Sequence, residues 1–329
     1  MGNNQTTLAQ NFKKAMGGKS IYIIAIIFCV VLAFATPLFA TQQNIINIML
    51  QMTIVGIAAL GQTYVIITGG IDLSVGAMIT FAGCVSIDLL LRYGMWVAIV
   101  GTLALGILFG FINGFIVAKA RIEPFITTMA MSMIIKSIML VYTDGYPRYV
   151  REGVTEANPN FGDDFLQIGG GKVFGGLPVP FLILVIAAVV LGILLSKTRF
   201  GRYVYAVGGN KETARLSGIN VPWTQIRVYI ICGLTAALAG VVYAARIGTA
   251  QTTMGDGYEL KAVASVAIGG TPLAGGRGSI DKTIVGALIY TVIANGLNLL
   301  GVSSYYQDLA TGIIILVAVI INERSLRKQ

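Results

Sequence analysis

The 329 residues of this chain include no histidine and three cysteines, which excludes Ser-His-Asp triads, Cys-His pairs and His-based zinc sites. Cys29, Cys84 and Cys232 lie in separate apolar runs without CxxC spacing, so they read as small hydrophobes with no metal or redox role. The residues left to do chemistry are polar groups inside apolar stretches, where they are costly and by default functional. Asp72 and Ser74 follow the pair Gly69-Gly70, and a second pair, Gly269-Gly270, interrupts another apolar stretch. Asn113, Asn295 and Asn298 sit in long apolar runs, and Lys136 lies within MAMSMIIKSIML. Asparagine can bond across helices or face a wet path, and Lys136 needs a partner or a wet pocket. Asp72 either caps the helix that follows it or belongs to a translocation path. Glu259 and Lys261 mark a helix end. None of these forms a catalytic or metal-binding set.

The elements that must position these groups are membrane helices. Residues are 56% apolar and 11% charged, against about 25% charged in soluble domains. The net charge of +9 therefore punctuates a membrane protein and does not mark a nucleic-acid surface. A helix needs about 20 apolar residues to cross a bilayer, and about ten such runs are present. They cover 21–40, two spans between 44 and 91, 94–118, 124–143, 177–196, 226–247, 259–279, 284–302 and 305–322. The expected fold is an all-α integral membrane protein in a lipid bilayer, with some helices broken at the glycine pairs. The apolar run from 21 continues past Ala33-Phe34-Ala35 to Ala40, longer than a signal-peptide core, so it reads as an uncleaved first span.

Basic residues orient the bundle. Lys13, Lys14 and Lys19 precede the first span, and Arg324, Arg327 and Lys328 follow the last. Both ends should be cytoplasmic, with segment 1–20 before the transmembrane domain 21–322 and a tail 323–329. Alternation then puts Lys119, Arg121, the basic cluster 197–227, Arg277 and Lys282 inside as well. Loop 144–177 falls outside, and loop 197–225 inside. In the inner loop Lys211 to Leu216 has the composition of a short helix, with Asn210 to cap its start and Gly218 to end it.

Small residues recur every four positions at Thr102, Gly106, Gly110, Gly114 and Ala118, and again at Cys232, Ala236, Gly240, Ala244 and Gly248. Such faces let backbones approach closely, and contact within the chain is the expected use. The two halves echo weakly, with a glycine pair followed by Asn113-Gly114 in one and by Asn295-Gly296 in the other. Gly18-Lys19-Ser20 lacks the upstream glycine of a phosphate loop, and Gly276-Arg277-Gly278 is not completed by a third glycine. The chain therefore has no ATP site.

The blocks GQTYVIITGGIDLSVGAMITFAG, RFGRYVYAVGGNKETARLSGINV, GYELKAVASVAIGGTPLAGGRGS and NGLNLLGVSSYYQ resemble the permease subunits of bacterial ABC importers for simple sugars. The resemblance runs through nearly the whole chain from about Gly56 and points to ribose as the sugar. It implies a second permease copy, an external solute-binding protein that delivers a monosaccharide, and a cytoplasmic ATPase subunit that binds ATP and Mg. It also implies a docking helix with a Glu-Ala-Ala-x-x-x-Gly pattern. Glu212, Ala214 and Gly218 match that spacing, with Thr213 in place of the second residue and with Asn210 and Arg215 alongside. The candidate pathway or helix-break residues are Gly69, Gly70, Asp72, Ser74, Asn113, Gly269, Gly270, Asn295 and Asn298. The competing reading is a self-sufficient secondary transporter or channel for a small polar solute, driven through Asp72.

Overall fold

A computed structural model describes residues 20–303 and single positions between 306 and 316. The expected span 305–322 and both termini thus lie largely outside the described residues. The helices are α1 (Ser20–Ala35), α2 (Gln42–Ile67), α3 (Val75–Tyr93), α4 (Met95–Phe115), α5 (Pro124–Thr143), α6 (Asp163–Gly170), α7 (Val179–Lys197), α8 (Arg199–Gly209), α9 (Lys211–Leu216), α10 (Val221–Ile247), α11 (Tyr258–Ile268) and α12 (Ile280–Leu299). Among the described residues seven helices are long and apolar enough to cross a membrane, namely α2 to α5, α7, α10 and α12, with a π-helical turn at Ile116–Ala120 extending α4. Helix α1 is shorter. Two-residue strands pair β1 (Arg148–Tyr149) with β4 (Thr249–Ala250), and β2 (Lys172–Val173) with β3 (Leu177–Pro178).

Helix α10 is the axis of the bundle, packed between α2, α3 and α4. Glycine sets these separations, because hydrophobic burial supplies no drive between helices already in lipid. A Cβ on Gly233 would overlap the Gly106 carbonyl, one on Gly110 the Tyr229 carbonyl, and one on Gly114 would come within 2.7 Å of the Ile226 Cα. The α4 stripe therefore packs on α10 of the same chain. It meets the Ile226, Tyr229 and Gly233 face, while the Cys232 to Gly240 stripe of α10 turns to α2 and α3. A Cβ on Gly61 would lie 2.7 Å from the Cys232 Cα, and one on Gly240 would overlap the Ile79 carbonyl.

The glycine pairs end helices. Gly69 (φ 79°) and Gly270 (φ 82°) stand in the left-handed region just past α2 and α11. Gly70 N–H donates to the Val65 carbonyl (3.0 Å) and Thr271 N–H to the Val266 carbonyl (3.2 Å), the same six-residue closure at both ends. The stretch read as span 259–279 is thus an eleven-residue helix, α11, whose glycine pair terminates it. Its irregular part precedes it. Segment 249–257 runs along α3, where Gly255 N–H donates to Thr80 Oγ1 (3.0 Å) and Ala250 O lies 3.9 Å from Cys84 Sγ. Polar, glycine-containing backbone at that depth is tolerated only when it is buried or wet.

Loop 144–177 is a folded cap. Phe165 of α6 is fully buried, and Gly169 sits against the Ala245 and Arg246 backbone so closely that any side chain would overlap it.

Candidate transport and coupling site

Two polar constellations lie at opposite ends of the bundle. At the end where α2 and α11 terminate, Asp72 is 2% exposed, and its Oδ1 accepts from Ser74 N–H (2.9 Å) and Ser74 Oγ (2.6 Å). Asn113 Nδ2 donates to Ser74 Oγ (2.9 Å), and Thr128 Oγ1 accepts from Leu73 N–H (3.0 Å) while donating to the Ile71 carbonyl (3.1 Å). Ser74, not Asp72, holds the N-cap position of α3. Asp72 instead fixes the turn before the helix, as aspartate does in loops. Gly69, Gly70, Asp72, Ser74 and Asn113 therefore form one node.

Asn295 is elsewhere. It forms a reciprocal amide pair with Asn44 of α2, 3.0 and 2.9 Å, and Asn44 also donates to the Phe39 carbonyl at 2.9 Å. Both are buried at the far end, and Asn298 is exposed one turn on. The asparagines are thus not equivalent in the two halves, and only the glycine caps repeat. The Asn295 amide ties α12 to α2. Asn295→Ala should lower stability by about 1–2 kcal/mol because it strands the Asn44 oxygen. Asn44→Ala combined with it should cost more, because the bond to the Phe39 carbonyl goes too, but less than the two single effects summed. Thermal unfolding in detergent followed by tryptophan fluorescence reads both.

The α9 hairpin sits at the node's end. Asn210 Oδ1 accepts from Thr213 N–H (2.8 Å) and caps α9 as its sequence predicts. Gly218 (φ 81°) closes it, with Ile219 N–H on the Ala214 carbonyl at 3.0 Å. Ala214 is buried against the bundle, while Glu212 and Arg215 are solvated and paired at 2.6 Å. The Arg215 hydrogen bond holds the Glu212 carboxyl below its usual range. Leu216, 77% exposed on this short helix, escaped the sequence reading, although an apolar residue between Arg215 and Ser217 was its visible signal. Arg121, Glu123, Lys211, Glu212 and Arg215 line a cleft of about 310 Å³ beside it.

Helix α8 joins this hairpin to the end of α2 and to the 275–278 loop that follows α11. Ile67, the last residue of α2, accepts from Gly276 N–H through its carbonyl (2.9 Å), and a Cβ on Gly208 would overlap that same oxygen. Tyr205 donates its hydroxyl to the Gly278 carbonyl (2.7 Å). Gly275 (φ 88°) packs so that a Cβ would stand 2.8 Å from Gly69 N. Three segments therefore meet at backbone contact, which only glycine permits.

Among the described residues, seven membrane-length helices packed through glycine faces define a multi-pass membrane protein. The chain belongs to the family described as branched-chain amino acid transport system, permease component, which it matches over residues 44–319. It is 43% identical over 316 residues, 95% of this chain and 96% of the relative, to the ribose import permease protein of Escherichia coli (strain K12). The ribose import permease protein of Bacillus subtilis (strain 168) is 42% identical, covering 91% of this chain and 90% of its own length. The D-allose transport system permease protein of Escherichia coli (strain K12) is 37% identical over 91% of this chain and 89% of its own. No solved structure matches the chain significantly.

Proposed function

We propose that the chain is the permease subunit of an ATP-driven importer for a monosaccharide, ribose first among candidates, in the bacterial cytoplasmic membrane. The carrying observation is end-to-end similarity above 40% to ribose import permeases of two distant bacteria. Two copies frame the pathway, an external solute-binding protein delivers the sugar, and a separate ATPase subunit binds ATP and Mg. Both termini and the α9 hairpin face the cytoplasm, in keeping with the basic residues around 197–227.

In this reading α9 docks on the ATPase through Leu216 and the Glu212–Arg215 pair. Movement of α9 passes through α8 to the Gly208, Ile67 and Gly276 contact, and so to the end of α2 and the loop between α11 and α12. The ATP-bound and ATP-free partner bias two arrangements of that end by differential contact. The bundle needs no tight sugar site, because the solute must leave again. The acid on which an ion-driven carrier would rest, Asp72, already holds Ser74, which counts against that alternative.

Docking is testable by co-purification. Gly218→Arg puts a long side chain into left-handed backbone at the end of α9, where a Cβ itself meets nothing within 4 Å. The bundle should stay folded, while the ATPase recovered on a tagged permease falls about tenfold or more, the equivalent of ~1.4 kcal/mol of binding. Full ATPase recovery with this variant would remove α9 from the coupling role.

A further inference from the structure

Lys136 and Asp256 form an ion pair with Nζ 3.1 Å from both carboxylate oxygens, and their side chains are 44% and 49% exposed. At 1.5 Å per residue Lys136 lies about 18 Å from the Pro124 end of α5 and about 10 Å from its Thr143 end. Asp256 follows Gly255, which bonds Thr80 in the second turn of α3. The pair therefore stands within the hydrocarbon zone and half open. A charge is costly at that depth even in an inserted helix, and such groups face water-filled space or protein.

The apolar surface of the bundle looks different. Helix α7 exposes Val185, Ile186, Val189, Val190 and Ile193. Around the ion pair the open surface carries Thr253, whose carbonyl accepts from Asp256 N–H (3.0 Å), and half-buried Ser132 one turn before Lys136. On the same face of α5 Met129 (45% exposed), Met133 (67%) and Leu140 (39%) add apolar contacts, the methionines flexible ones.

We infer that this face, centred on Lys136–Asp256, lines the sugar route between two permease copies, and that the pair is its mid-depth contact for hydroxyl groups. The inference deepens the permease reading and rests on it. A carboxylate and an ammonium side by side offer acceptors and donors to a neutral polyol, while their mutual neutralisation avoids selecting for an ion. The irregular 249–257 backbone then has the wet surroundings it needs.

The test uses the assembled complex of permease, ATPase and binding protein in liposomes, with Cys29→Ser as background because Cys84 and Cys232 are buried. Thr253→Cys and Ser132→Cys should react with a charged, water-soluble thiosulfonate at least about tenfold faster than Val189→Cys on α7, and reaction should block ribose uptake. Lys136→Met should lower uptake about tenfold or more with ATPase recovery unchanged, and exchange of the two charges should restore part of it. Labelling no faster than at Val189, or labelling that leaves uptake intact, overturns the inference. Should Lys136→Met fail to assemble, the labelling series alone decides. Failure of the unaltered complex to take up ribose would instead fault the permease reading.

Discussion

Gly208→Ala is expected to break coupling while leaving the ATPase bound. One methyl at this position enters the Ile67 carbonyl, which already accepts from Gly276 N–H at 2.9 Å. Relief requires α8 to withdraw from the end of α2 and from Gly276, which disconnects α9 from the parts it is proposed to move. Overpacking of this kind costs about 1–3 kcal/mol, enough to part the two segments, so uptake per ATP hydrolysed should fall. Gly209→Ala is the matched control, since a Cβ there meets nothing within 4 Å. Paired measurements of uptake and ATP hydrolysis read the ratio. Equal ratios in the two variants would refute the relay.

Gly233→Leu should act at the level of assembly. Gly233 faces Gly106 and Gly110 across the α4–α10 contact, and even a Cβ would overlap the Gly106 carbonyl. A leucine must separate the two helices along the stretch where α10 also holds α2 and α3. Dispersion and close backbone contact are what associate helices in lipid, and little remains once they are parted. The variant should yield no monodisperse protein on size exclusion in mild detergent, whereas Gly192→Ala, whose nearest neighbour is Ile280 at 3.8 Å, should behave as the parent chain. A folded Gly233→Leu protein would show that α10 is not the axis.

These residues also show what a linear reading can and cannot see. Hydropathy locates the long helices, because each must be apolar over about 20 residues, and four-residue spacing of small side chains exposes the packing faces on α4 and α10. The caps of α9 are local and were legible from Asn210 and Gly218. Long-range partners were not. Lys136 demanded a partner, but Asp256 lies 120 residues on, in a stretch too polar to register as membrane-embedded. The glycine pairs suggested breaks within spans because a helix C-cap and a mid-span break look alike in sequence. Only the hydrogen bonds at Gly70 and Thr271 separate them. Asn295 pairs with Asn44 through a fold contact no pattern announces. The joint at Gly208, Ile67 and Gly276 joins three distant segments by backbone atoms, which carry no sequence signal beyond glycine itself.

The central claim is that this chain moves sugar only as part of an ATP-driven complex. Uptake of radiolabelled ribose into liposomes, with the permease alone and then with its ATPase and solute-binding protein, tests it most directly. Accumulation is predicted only when all three proteins and ATP are present, and it should persist when ionophores collapse the ion gradients. Ribose uptake by the permease alone, or uptake that follows an ion gradient and ignores ATP, would contradict the account.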